Sequence, residues 1–303
     1  RLIGLPDFTF SHFQYVKTNA VPDAPVAKSD TPFPVLIFSH GRGGFRTHNT
    51  LQVEELVSHG YIVATIDHPY AASGVIFPDG HLVAFDQRFF DPKHAGHGPF
   101  LDEVLPFLGQ DVSFTLDQLI RLNQADPNGI LTGKLDVEHA AAFGPSLGGI
   151  IATEACAHDA RLKACLSMDA FIPADALQPG LQQPLMMMSR DAKYMQAEHW
   201  AQADIDETQT TIRAAFDNPR GDRTLVWIDG MYHNDFSDAR LYTPLASLIG
   251  FTGPIDTLQA RHIVNAYSLA FFDHYLKGLP EALLDGPAEQ FPGVQLETHP
   301  AGK

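Results

Sequence analysis

No apolar run in this 303-residue chain approaches the roughly 20 residues that a helix needs to cross a bilayer, so a membrane-spanning helix is excluded. Basic residues are few: 20 Lys and Arg against 36 Asp and Glu leave a formal charge of −16 with histidines neutral. With no basic cluster the chain is repelled by phosphate backbones, which excludes nucleic acid as a partner. Cysteine is reduced to Cys156 and Cys165, too few for a disulfide-built scaffold. One short-loop bridge and two buried free thiols both remain open. Internal repeats, low-complexity tracts and long Gly/Ser linkers are absent as well, which argues against solenoids and strings of tethered modules. The first residue is Arg1 rather than Met, so location is not read from the start of the chain; a secreted or periplasmic protein freed of its signal peptide is compatible with it. Oligomeric state is not legible.

What is present is ordinary globular composition, 45% hydrophobic and 18% charged. Short apolar runs alternate with amphipathic patterns, the form of a mostly parallel sheet covered by helices on both faces. Strands are expected at 35–38, 61–66, 140–143, 164–168, 185–188 and 224–228. Rough alternation of Phe8, Phe10, Phe13 and Tyr15 suggests an antiparallel edge strand within residues 1–30. Val75–Phe77 and Leu82–Phe85 flank Pro78-Asp79-Gly80 and predict a hairpin. Helices are expected where Leu51, Leu56 and Val57 precede Gly60, where Val112, Leu116, Leu119 and Ile120 form one stripe, and where Ile263 to Phe271 run toward Gly278. Pro99 and Pro106 are expected to break the segment before the second helix, and residues 189–222 to form a helical excursion between two strands. One α/β domain over 1–303 accounts for the pattern.

Chemistry concentrates at Gly144-Pro145-Ser146-Leu147-Gly148, between a small-residue strand and a helical run. Gly-x-Ser-x-Gly in that setting is a nucleophile elbow, whose glycines leave room for a sharp turn that exposes the serine hydroxyl. The plainer reading is a helix-capping serine in a glycine-rich turn. An earlier strand runs into Ser39-His40-Gly41-Arg42-Gly43-Gly44, where an oxyanion loop would sit; the donors would be the backbone N–H groups of Arg42 and Leu147. A phosphate-cradling loop fits less well, since Arg46 stands where Gly-x-Gly-x-x-Gly needs its last glycine.

A serine nucleophile needs a base and an orienting carboxylate. Of the 15 histidines, His233 lies just past the last expected strand, where this arrangement places its imidazole. His262 and His274 fall inside the last helix, His199 in the excursion, and His94 and His97 too early. Asp169 and Asp191 each follow a strand after the elbow, and spacing does not choose between them.

These segments resemble the platelet-activating factor acetylhydrolase family of α/β-hydrolases, and more distantly the dienelactone hydrolases. The matching pieces are Phe38 to Thr47, Gly144 to Gly149, Leu166-Ser167-Met168-Asp169-Ala170-Phe171, Pro184 to Ser189 and His233 to Asp238. The resemblance implies an α/β-hydrolase fold, with Ser146 as nucleophile, Asp169 as acid and His233 as base. It implies a serine carboxylester hydrolase working through an acyl-enzyme on short-chain or phospholipid-type acyl esters, with no metal or cofactor. Pro145 and Arg42 depart from the usual residues at their positions but leave the triad intact. Polyester, thioester or peptide cleavage uses the same triad, and a catalytically silent binding protein is the alternative from another class. A metal hydrolase built on His94 and His97 with His40, Asp67 or His68 is a third, although that pair sits in a Gly/Pro-rich loop. Phe85, Phe89, Phe90 and Phe100 are candidates for a lipid-facing rim, although the net negative charge argues against anionic bilayers.

Overall fold

A computed structural model describes residues 15–90, 98–242, 246–286 and 288–302. Its strands and helices follow in the order β1 (Phe33–Ser39), α1 (Thr50–Ser58), β2 (Ile62–Ile66), β3 (Gly74–Ile76), β4 (Leu82–Ala84), α2 (Pro99–Gln124), β5 (Leu135–Pro145), α3 (Leu147–His158), β6 (Leu162–Met168), β7 (Leu185–Ser189), α4 (Ala192–Ala197), α5 (Gln202–Phe216), β8 (Arg223–Ile228), α6 (Thr257–Lys277) and β9 (Val294–His299). Seven strands form one sheet in the order β2-β1-β5-β6-β7-β8-β9, parallel except for β9.

The central strands are apolar along their whole length because both faces are covered. Alternation sends Val35, Ile37, Ala142, Met187 and Leu225 into a layer under α2, α3 and α5. Leu36, Phe38, Phe143, Met188 and Val226 enter the opposite layer under α1 and α6. Helix ends follow local chemistry. Asp256 accepts from Leu258 and Gln259 N–H at 2.9 and 3.0 Å to start α6, and Gly278, at φ +67°, closes it. Cys156 on α3 and Cys165 on β6 are disulfide-bonded, joining the helix after Ser146 to the strand before Asp169.

The hairpin forms with Val75 opposite Val83, and the excursion carries α4 and α5. The prolines behave differently from expectation. Pro99 occupies the first turn of α2, where its missing N–H costs nothing, and Pro106 lies inside the helix. Leu101, Leu105, Leu108, Val112, Leu116 and Leu119 bury one continuous stripe on both sides of Pro106. At ~1.5–3 kcal/mol per buried leucine, that stripe outweighs the ~3 kcal/mol of an interior proline. Strand β9 was not expected, because four of its six residues, Gln295, Glu297, Thr298 and His299, are polar. Phe8, Phe10 and Phe13 of the expected edge strand lie outside the described residues, and Tyr15 is exposed in a 3₁₀ turn. Phe85, Phe89 and Phe100 are core residues; of the four rim candidates only Phe90 is exposed.

Candidate active site

Strand β5 ends at Pro145 and α3 begins at Leu147, so Ser146 alone makes the reversal, at φ 55° and ψ −128°. A non-glycine residue there is strained by about 1–3 kcal/mol, and the surroundings enforce it. Its N–H donates to Met168 O at 2.8 Å, and its carbonyl accepts from Gly149 and Ile150 N–H at 2.9 and 3.1 Å. The flanking glycines are obligatory: a Cβ on Gly144 or Gly148 would collide with the Ser39 carbonyl oxygen, and one on Gly149 would sit 2.6 Å from Ser167 Oγ.

The loop after β1 packs against this turn, with a Cβ position on Gly41 only 3.4 Å from Ser146 Cβ. His40 Nδ1 lies 2.7 Å from Gly41 O, and His68 N–H donates to His40 Nε2 at 3.2 Å, which assigns the ring proton to Nδ1. Burial, reinforced by His68, pulls the His40 pKa down to about 3, so the ring is neutral. Gly41 O also accepts Gly44 N–H at 2.9 Å. The Gly41 carbonyl and the Arg42 N–H belong to one planar peptide, so both contacts fix where that N–H points. Among the described residues, neither Arg42 N–H nor Leu147 N–H is donated to a protein acceptor. The Arg42 side chain is engaged elsewhere, giving Nη1 to Phe89 O at 2.8 Å.

Asp169, directly after β6, is fully buried, with φ 49°. Its Oδ2 stands 2.5 Å from His233 Nδ1 and accepts Arg190 Nε at 2.9 Å. Burial pushes this carboxyl up, but the Arg190 charge and the His233 hydrogen bond overcome it and hold the group below the ordinary carboxylate range. His233 opens a 3₁₀ turn after β8, and its backbone N–H lies 3.1 and 3.2 Å from the two carboxylate oxygens of Glu198. It is therefore Asp169, not Asp191, that meets His233. Asp191 is exposed and caps α4, accepting Lys193 N–H at 2.8 Å.

Arg42, Ser146, Leu147, Asp169 and His233 all line one cleft of about 380 Å³. Phe90, Ile150, Phe171 and Trp200 give it apolar walls, and Asp204 and Glu207 place acids beside them. Sequence reasoning did not find Arg190, Glu198 or Trp200; the one signal was that Arg190 follows the end of a strand. The metal alternative gains no support from the groups that are described. Asp67 is held by Arg46 through contacts of 2.6 and 2.7 Å, and His68 bonds Asp111 and Ser39 at 2.9 and 3.1 Å. His94 and His97 lie outside the described residues. Among the described residues, Glu154, His158 and Asp175 are close enough to share a cation, but none lines this cleft.

Residues 8–77 and 115–282 match the family profile described as Platelet-activating factor acetylhydrolase, isoform II. The platelet-activating factor acetylhydrolase of Cavia porcellus is 26% identical over 279 residues, covering 86% of this chain and 61% of that protein. That of Canis lupus familiaris is 25% identical, covering 94% and 67%. A probable 1-alkyl-2-acetylglycerophosphocholine esterase of Arthroderma benhamiae is 26% identical, covering 86% and 65%. The chain thus spans about three fifths to two thirds of the length of these relatives. Among solved structures, a ferulic acid esterase from Streptomyces cinnamoneus superposes with a TM-score of 0.70 at 25% identity, covering 88% of this chain and 74% of that one. The fold is that of the α/β-hydrolases.

Proposed function

This chain belongs to the platelet-activating factor acetylhydrolase isoform II family, and on that premise we propose that it is a serine carboxylester hydrolase with Ser146, Asp169 and His233 as its triad. The observation that carries the reading is the 2.5 Å contact of His233 Nδ1 with buried Asp169, opening on the cleft that holds Ser146. With Nδ1–H donated to Asp169, Nε2 is the free base. Ser146 Oγ attacks the ester carbonyl as its proton passes to Nε2. The oxyanion takes the N–H groups of Arg42 and Leu147, each such donor being worth about 3–4 kcal/mol in the transition state. The imidazolium then protonates the leaving alkoxide. A water deprotonated by the same imidazole cleaves the acyl-enzyme and restores Ser146.

The substrate class we infer is a short-chain or phospholipid-type acyl ester, in keeping with the names of the relatives. A second reading, an ester of an aromatic acid, is favoured by the Phe90, Phe171 and Trp200 walls and by the ferulic acid esterase likeness. Intact mass after exposure to a fluorophosphonate tests the mechanism: one phosphonyl group on Ser146, absent in a folded Ser146→Ala variant, is expected. Turnover retained by Ser146→Ala would overturn it. Comparing p-nitrophenyl acetate, butyrate and octanoate with methyl ferulate then separates the substrate readings.

A further inference from the structure

Arg190 is one of two arginines among the largest fully buried side chains of the described residues, and it is a cation. A buried guanidinium is costly unless opposite charges or hydrogen-bond acceptors face it. Here two do: Arg190 Nε reaches Asp169 Oδ2 at 2.9 Å, and Nη1 forms an ion pair with Glu198 Oε2. Glu198 in turn faces the His233 backbone N–H at 3.1 Å, and His233 Nδ1 returns to Asp169 at 2.5 Å. The four groups close a circuit drawn from β6, the end of β7, the end of α4 and the loop after β8.

The chain is bent to complete this circuit. His199 is exposed and adopts φ 61°, so its neighbours on both sides turn inward. Glu198 thereby meets Arg190, while Trp200 lies 4.9 Å beneath the guanidinium and forms a T-shaped pair with the His233 ring at 5.0 Å between centroids.

We propose that Arg190 and Glu198 are a buried positioning pair for the base–acid couple. Arg190 holds the Asp169 carboxylate in line with His233 Nδ1, and Glu198 anchors both Arg190 and the His233 main chain. The inference rests on the triad reading above. With a neutral imidazole the circuit carries one net negative charge, and it becomes neutral when His233 takes the serine proton. Loss of the Arg190 charge leaves two negative charges around the imidazole and makes its protonation easier. Loss of the Glu198 charge leaves no net charge around it and makes protonation harder. Among the described residues, His48 also interacts electrostatically with His233, and Asp204 and Glu207 on α5 line the same cleft; these are common to every variant.

The rate at which a fluorophosphonate labels Ser146 between pH 4 and 9 reads this directly. In Arg190→Gln the acid limb is expected to move to higher pH by about one unit, with labelling at pH 6 falling accordingly. In Glu198→Gln, whose amide oxygen still accepts the His233 N–H, the limb is expected to move to lower pH. Arg190→Lys, which keeps the charge but loses the planar fork, should keep the wild-type limb with a lower plateau. A packing role alone would lower rates without moving the two limbs in opposite directions. Limbs of Arg190→Gln and Glu198→Gln that coincide with wild type, in proteins still labelled at Ser146, would overturn the proposal. Should Arg190→Gln be recovered unfolded, the direction of the Glu198→Gln limb decides alone. Wild-type protein that takes no label would instead overturn the triad reading, a distinguishable result.

Discussion

The hydroxyl of Ser146, the carboxylate of Asp169 and the imidazole of His233 are 23 and 64 residues apart in the chain, yet the strand ends bring all three to one cleft. Ser146 was readable from its glycines, because the close approach of Ser39 O to positions 144 and 148 admits no other residue. The acid was not readable from spacing, since Asp169 and Asp191 each follow a strand. What separates them is direction. Asp169 turns inward at a left-handed residue, whereas Asp191 turns outward to cap a helix. Asp169→Asn is expected to cut kcat on the order of 10⁴-fold by setting the wrong imidazole tautomer. Asp191→Asn should stay within a few-fold of wild type, because asparagine caps a helix as well as aspartate does. Steady-state kinetics of the two variants on one activated ester is the check, and the reverse pattern would move the acid to Asp191.

Elements were legible where pattern and burial agree. The buried parallel strands announced themselves as apolar runs, and α6 by its stripe and its closing glycine. Two elements went against their local signals. Strand β9 pairs with β8 through main-chain bonds that make no demand on its polar side chains. Helix α2 runs through Pro106 because its buried leucines reward continuity on either side. Pro106 is exposed, so Pro106→Ala restores a backbone N–H inside the helix without disturbing the core. That change is expected to stabilise the protein by about 2 kcal/mol, after allowing for the looser unfolded chain. Thermal denaturation should show the midpoint rise; a fall would mean that the helix depends on a bend there.

At the scale of the whole molecule, the buried histidines near the site set the response to acid. Burial, reinforced by His68 for His40 and by His233 for His48, lowers their pKa values from 6.5 to about 3 and about 4. The unfolded chain binds those protons near pH 6.5 and the folded chain resists them. Stability is therefore complete above that pH and is lost as pH falls through the window to about 4, by about 1.4 kcal/mol per unit for each histidine. Asp238 opposes this. Burial raises its carboxyl from 3.8 to about 7, so it favours the folded state at low pH and loses that contribution as pH rises through the same range. Two histidines outweigh one carboxyl, and the urea midpoint is expected to fall between pH 6.5 and 4; a flat midpoint would mean that the imidazoles open to water. The sequence by itself determined the sheet-and-helix alternation, the elbow at Ser146 and the position of His233, because strand runs, obligatory glycines and chain order are local properties. Only the tertiary structure showed which carboxylate meets His233, the path of α2 and the Arg190–Glu198 circuit. Those depend on which side chains face one another across strand ends and on how completely water is excluded between them, and neither property belongs to any one stretch of chain.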